Sequence, residues 1–326
     1  MDFTARDQIS QHPTNRVNSP DYITYTDKPW ARICAPIQNI LVHTAIGADG
    51  KTSANFEAAF LPWCDDDRLR LDEYAVPPSR RTWRLETEAD CELWFHTEIS
   101  NVLLAAWSRY PEVMQTSHTK PPRVESIPEE VGSTHSVKFG GVRTVLAIGE
   151  MKRNLIDVRA WQRGDISNKS AQKELSQELR GYADKYQCPP QVFCFDGSAL
   201  LLLQFRAINA EDIREPDCAV DCWVLPRASS NIPLRYALYV LLAQGFRRYQ
   251  GACAAQALSV GGLTPRFRLF YNGLPVWRAE DRNLLEHPGG YQRSVDANSG
   301  AVKWTHPENP DEVVWETPPF WSVQAV

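Results

Sequence analysis

Two β-prone runs, STHSVKF and VRTVLAIGE, flank a Gly-Gly pair at 140–141, and no other feature restricts the fold as tightly. Runs of this kind joined by two turn-forming glycines read as an antiparallel hairpin. With Gly140 and Gly141 as the turn, His135 faces Leu146, and Glu150 pairs near Val131. Side chains alternate along a strand, so this register puts His135 and Glu150 on one face of the sheet. The second strand runs into Glu150-Met151-Lys152, and the same alternation makes Glu150 and Lys152 project together.

The segments around the hairpin supply partners for it. A helix is predicted over roughly 88 to 109, where Ile99, Leu103 and Ala106 recur at helical spacing. Carrying that stripe backward reaches His96 and Glu92, which places both on the inward face. A polar loop over 111 to 133 follows, with Pro121, Pro122 and Pro128. After the hairpin comes a loop with Trp161, then SAQKELSQELRGYADKY, a helix with Leu175, Leu179, Tyr182 and Tyr186 as its apolar stripe. QVFCF and ALLLLQFRA are strands joined by the turn DGS, CAVDCWVLP is another strand, and Pro233 opens a further helix. This order gives an α/β (α+β) fold, a central mixed β-sheet flanked by helices. Residues 1–85 read as an N-terminal arm and accessory segment and 86–255 as the core. Residues 256–326 read as a β-rich C-terminal extension packed on it, opened by the hairpin RFRLFYNGLPVW with its Asn-Gly turn.

Composition narrows the function. The net charge of −5 gives no global attraction for a polyanion, so any contact with DNA would use local basic patches: Arg80, Arg81 and Arg84; Lys152 and Arg153; Arg247 and Arg248; Arg266 and Arg268. No apolar run is long enough for a membrane span, so no membrane partner is expected. The polar, acid-containing start resembles neither a signal peptide nor a transit peptide. An intracellular location, cytoplasmic or nuclear, is therefore expected, with the eight cysteines reduced. Asp65, Asp66 and Asp67 read as a solvated acidic turn. No GxSxG or P-loop pattern occurs.

The candidate site gathers Glu92 and His96 from the first helix, His135 and Glu150 from the hairpin, and Lys152 just beyond it. Carboxylates that share a site can hold a hard cation, Mg²⁺ or Mn²⁺, through oxygen. A neighbouring lysine can orient a water and offset phosphate charge.

The order helix with Glu, strand, strand ending in Glu-x-Lys, helix, strand resembles the PD-(D/E)XK nuclease superfamily, and in particular the nuclease-like domain proteins abundant in filamentous fungi. GEMKR supplies the (D/E)xK at Glu150 and Lys152, Glu92 matches the acidic residue of the first core helix, and ELSQELRGYADKY resembles the following helix. The resemblance spans roughly residues 85 to 225. It implies metal-dependent phosphodiester hydrolysis, with Glu92 and Glu150 as metal ligands and Lys152 as a catalytic group. His135 stands where the family places an aspartate, unless Glu129 or Glu130 takes that role. Some relatives carry Gln and Tyr four residues apart; here Gln177 and Tyr182 are five apart, while Glu178 and Tyr182 have the four-residue spacing. Arg153, Gln177, Arg180, Tyr182 and Trp161 are the candidate substrate-binding residues.

Two further readings follow from the missing aspartate. A repurposed enzyme without a metal would use His135, His96, Glu150 and Lys152 for acid/base chemistry on a small molecule, since histidine titrates near neutrality. A non-catalytic binding protein would keep Glu150 and Lys152 as a structural ion pair.

Overall fold

In the computed structural model, residues 4–25, 28–57, 65–108, 114–117, 133–185, 189–279 and 281–321 are described. Seven strands form the central sheet: β1 (Ile40–Val42), β2 (Met114–Ser117), β3 (Ser133–Phe139), β4 (Val142–Met151), β5 (Gln191–Phe195), β6 (Ala199–Phe205) and β7 (Val220–Pro226). Their spatial order is β1-β7-β6-β5-β4-β3-β2. β4 and β5 pair in parallel, as do β7 and β1, and the other neighbours are antiparallel. The sheet is therefore mixed, as the element order predicts. The accessory segment is not separate from it, because β1 forms one edge.

The apolar character of β6 follows from its place inside the sheet. Leu200 and Leu202 face one layer, Leu201 and Leu203 the other, and all four are fully buried. A strand covered on both faces has no polar side to alternate with. One covering layer contains α1 (Glu88–Phe95) and α3 (Leu234–Ala252), packed through Trp94, Phe95, Leu238, Leu242 and Phe246 onto Phe193 and Phe195. The opposite layer is built on α2 (Ser170–Lys185), whose Leu175, Leu179 and Tyr182 meet Val192, Cys194 and Leu201. Tyr186, the last residue of the predicted stripe, lies outside the described residues.

The first helix is less regular than its stripe predicts. Thr87 and Asp90 form a reciprocal capping box at its start. The α-helix ends at Phe95, and a π-helical turn, His96–Ser100, precedes Asn101–Leu103 and the 3-10 turn Leu104–Trp107. Ile99, Leu103 and Ala106 are nevertheless all buried. The loop over 111 to 133 lies outside the described residues except for β2 and Ser133.

The hairpin forms with Gly140 and Gly141 at positive φ, but its register departs from the symmetrical one. Ser136 pairs with Val145, and His135 pairs with Ala147, which leaves Leu146 as a β-bulge. One extra residue in one strand reverses the facing of everything beyond it relative to the partner. The hydrogen-bonded register thus moves His135 to the face opposite Glu150.

At the C-terminal end, Phe267–Arg268 pairs with Pro275–Ala279 across the Asn-Gly turn, and a three-stranded unit of Gln292–Val295, Val302–His306 and Asn309–Trp315 follows. It meets the core through Phe320, whose ring lies 5.4 Å from Phe139 and 5.9 Å from Phe246. Among the described residues, no helix is long and apolar enough to cross a membrane.

Candidate active site

Glu150 leaves the sheet toward α2. Its neighbour Gly149 points the other way, where an added Cβ would fall 2.0 Å from Cζ of Phe193. Glycine at this position lets the Phe193 ring lie flat against β4. Glu150 pairs in register with Cys194, and Ile148 with Val192, both on the α2 face. Lys152 continues the alternation and its amide still donates to the Phe195 carbonyl at 3.0 Å.

Beneath α2 the charges converge. Lys152 Nζ lies 3.2 Å from Glu150 Oε1 and 3.1 Å from Glu178 Oε1. Tyr182 donates from its hydroxyl to Glu178 Oε1 at 3.0 Å, a contact that their four-residue spacing on α2 makes possible. All four groups are shielded from solvent, the Glu178 side chain completely. Glu150 Oε2 and Glu178 Oε2 are buried without a hydrogen-bond partner among the described residues.

Two carboxylates and one ammonium leave this cluster one positive charge short among its described members, with Lys28 adding a further, weaker pull on Glu178. The titration of its members reflects that. Burial, then the charge of Glu150, drives the Glu178 carboxyl up from 4.5 to about 7, against the pull of Lys152. Burial alone would depress the Lys152 ammonium, but Glu150, Glu178 and, at the N-terminus of α1, Glu88 together hold it above its ordinary value. The Tyr182 phenol is pushed well upward by burial and by the same two carboxylates. A proton on Glu178 or a bound cation would relieve the deficit.

The predicted histidines occupy the other face. His135 Nε2 lies 2.7 Å from Ser100 Oγ, and its ring is 5.8 Å from that of Phe193. His96 Nε2 lies 3.2 Å from Ser133 Oγ. The expectation that His135 and Glu150 share a face is thus overturned by the bulge at Leu146. Glu92 is half-buried on α1, the helix packed against the Phe193 face, whereas Glu150 turns to α2.

Of the candidate substrate-binding residues, Tyr182 belongs to the charged cluster. Gln177 stands beside it on α2 and donates to the Cys34 carbonyl at 2.8 Å. The other three have internal partners as well. Trp161 is fully buried and donates to Gln172 Oε1 at 2.7 Å. Arg180 is buried against the Phe205 ring and donates to the carbonyls of Ile213 and Glu215. Arg153, with no exposed surface, holds the N-terminal segment through Pro20 O at 2.5 Å and Ser19 Oγ at 3.4 Å. All three side chains are thus committed to partners within the fold.

Two expected surface features are internal too. Asp67 is buried on the helix Asp65–Leu71, in ion pairs with Arg70 and Arg247 at 2.5 Å each, rather than in a solvated turn. Arg248 donates to the Val145 carbonyl at 2.6 Å, so the 247–248 pair forms no open basic patch. Lys152 and Arg153 are equally committed. Arg80, Arg81 and Arg84 remain exposed.

Glu178 is the member of the cluster that the ExK spacing does not reveal. Its signal is the i, i+4 relation to Tyr182 on the apolar stripe. Among the described residues, no group of three or more His, Cys, Asp or Glu side chains is arranged as a ready metal cage. No protein-family model, curated protein or solved structure matches the chain.

Proposed function

We propose that this chain is a PD-(D/E)XK-like protein that hydrolyses phosphodiesters with a divalent cation, using Glu150, Lys152, Glu178 and Tyr182. The observation that carries the reading is the pair of buried carboxylate oxygens, Glu150 Oε2 and Glu178 Oε2, that have no hydrogen-bond partner among the described residues, in a cluster of two carboxylates and one ammonium. Hard oxygen donors of this kind suit Mg²⁺ or Mn²⁺, and Mg²⁺ needs only one or two carboxylates because it retains water. Glu150 and Glu178 would hold the cation, which when bound would polarise a phosphoryl oxygen and acidify a water. Lys152 offsets negative charge at the phosphate. Tyr182 fixes the Glu178 carboxylate by its hydroxyl. The sequence order helix, hairpin, Glu-x-Lys, helix, strand supports the same reading.

A metal-independent acid/base enzyme is the weaker reading, because His135 and His96 face away from Glu150. Glu178, with its carboxyl near 7, is the one group it keeps in place for proton transfer. The test is direct. Mg²⁺ or Mn²⁺ raises the melting temperature and supports cleavage of a DNA substrate, and both effects vanish in Glu150→Gln. A protein that shows neither response at millimolar metal contradicts the proposal.

A further inference from the structure

The C-terminal extension holds a cleft of its own. It encloses about 860 Å³ between the hairpin that carries Leu274 and Pro275 and the strands that carry Arg293 and Trp304. It shares no residue with the Glu150–Glu178 cluster. Its apolar lining comes from Leu274, Pro275, Leu285, Tyr291 and Trp304. The walls are fixed before anything binds. His287 accepts the Gly289 amide at Nδ1 and donates from Nε2 to Val260 O at 3.0 Å, so its neutral ring stands edge-on to those of Trp277 and Tyr291, at 4.4 and 5.0 Å. The Trp304 indole donates to Glu316 Oε2 at 2.7 Å. Arg293 grips the same carboxylate with two bonds, Nε to Oε2 at 2.8 Å and Nη2 to Oε1 at 3.0 Å. Arg268, the cross-strand partner of Pro275, adds another from Nη1 to Oε1 at 2.8 Å. Two guanidiniums therefore share one fully buried carboxylate whose oxygens each accept two bonds. That leaves Arg293 Nη1 unbonded among the described residues, and Arg268 Nη2 buried without a hydrogen-bond partner there.

We infer that this cleft binds a small aromatic acid, with the ligand's carboxylate on Arg293 and its ring against Tyr291 and Trp304. The charge balance selects a monoanion. Two cations around one carboxylate leave a surplus of one, and a guanidinium held by two bonds presents its remaining N–H groups at fixed angles to a second oxyanion. A phosphate dianion would call for further cations or a nest of free amides. The amides of Gly289 and Gly290 are instead taken by His287, and Glu286 on the exposed rim adds negative charge. The ring follows from the lining. A mostly apolar pocket with one placed charge orients its ligand by that charge and holds it by its apolar body. Walls already locked by their own hydrogen bonds need little further ordering on binding.

Phenylacetate is the probe, titrated into the full chain and followed at the Trp304 indole N–H by nitrogen-15 NMR. A saturable shift is expected. Its affinity should be about ten-fold higher than that of phenylacetamide, which keeps the ring and loses the charge, or of acetate, which does the reverse. Arg293→Gln should weaken phenylacetate by about ten-fold and leave phenylacetamide unchanged. That change also loosens Glu316, so the exposed Leu285 supplies a second pair of variants with no buried group disturbed. Phenylacetate should bind Leu285→Lys about ten-fold more tightly than Leu285→Glu, the sum of one modest attraction and one modest repulsion, while phenylacetamide binds both equally. No shift at Trp304 overturns the site. Equal affinity for phenylacetate and phenylacetamide overturns the anion-binding role of Arg293 and with it the proposal, as does equal phenylacetate affinity in the two Leu285 variants.

Discussion

The two faces of β4 carry opposite kinds of polarity. Toward α2 stand Glu150 and Lys152, packed against Glu178 and Tyr182 in a charged and under-compensated group. Toward α1 and its π-helical extension, β3 and β4 contribute Ser133, His135 and Gly149 among stacked phenylalanines, and the polar groups pair as Ser–His contacts. The single extra residue at Leu146 determines which side His135 joins. A site that looks like one cluster along the sequence is divided by the sheet, and on the α2 side Glu150 Oε2 and Glu178 Oε2 are buried without a hydrogen-bond partner among the described residues. Charge that stays buried without full compensation is costly, so proteins tend to retain it where it serves a purpose.

Substitutions on the two faces should separate accordingly. The largest effect is expected from Lys152→Met, which strands two buried carboxylates without their cation. Breaking a buried ion pair from one side costs about 3–5 kcal/mol, measurable by urea unfolding at pH 8. Next is the pH response of Glu178. A carboxyl whose folded pKa lies above its unfolded value holds its proton more tightly when folded. Its contribution is fully present below 4.5 and is lost as pH rises through about 7. Stability should therefore fall across that window by on the order of 3 kcal/mol, and Glu178→Gln should flatten the slope. Gly149→Ala forces the Phe193 ring off β4 and should cost about 1–3 kcal/mol by overpacking, again read by unfolding. The smallest effect belongs to Ser100→Ala, at about 1–2 kcal/mol for the lost partner of a buried histidine. It should leave the thermal response to Mg²⁺ unchanged; a lost response would mean that the two faces act as one site.

Much of this architecture is legible in the sequence because it depends on local periodicity. The hairpin, the stripe of Leu175, Leu179 and Tyr182, and the two strands around DGS all follow from patterns within a dozen residues. The bulge does not. Nothing in VRTVLAIGE marks Leu146 as the extra residue, since no glycine or proline interrupts the run and the register depends on both strands at once. Glu178 was partly visible through its spacing to Tyr182, but Gln177 beside it carried the more familiar residue type. Asp67 is hidden by its neighbours: three adjacent aspartates suggest solvent, while Arg247 and Tyr239, far away in sequence, join Arg70 in making one of them a buried anchor. Arg153 and Arg180 read as substrate-binding cations because their carbonyl partners lie far away in sequence.

The central claim is that Glu150, Lys152 and Glu178 form one buried group lacking a positive charge. Titrating the Glu178 side-chain carboxyl by carbon-13 NMR, with and without saturating Mg²⁺, tests it most directly. The account predicts a midpoint near 7 in the metal-free protein, falling by two units or more when Mg²⁺ supplies the missing charge. A Glu178 midpoint that does not move with Mg²⁺ would contradict it.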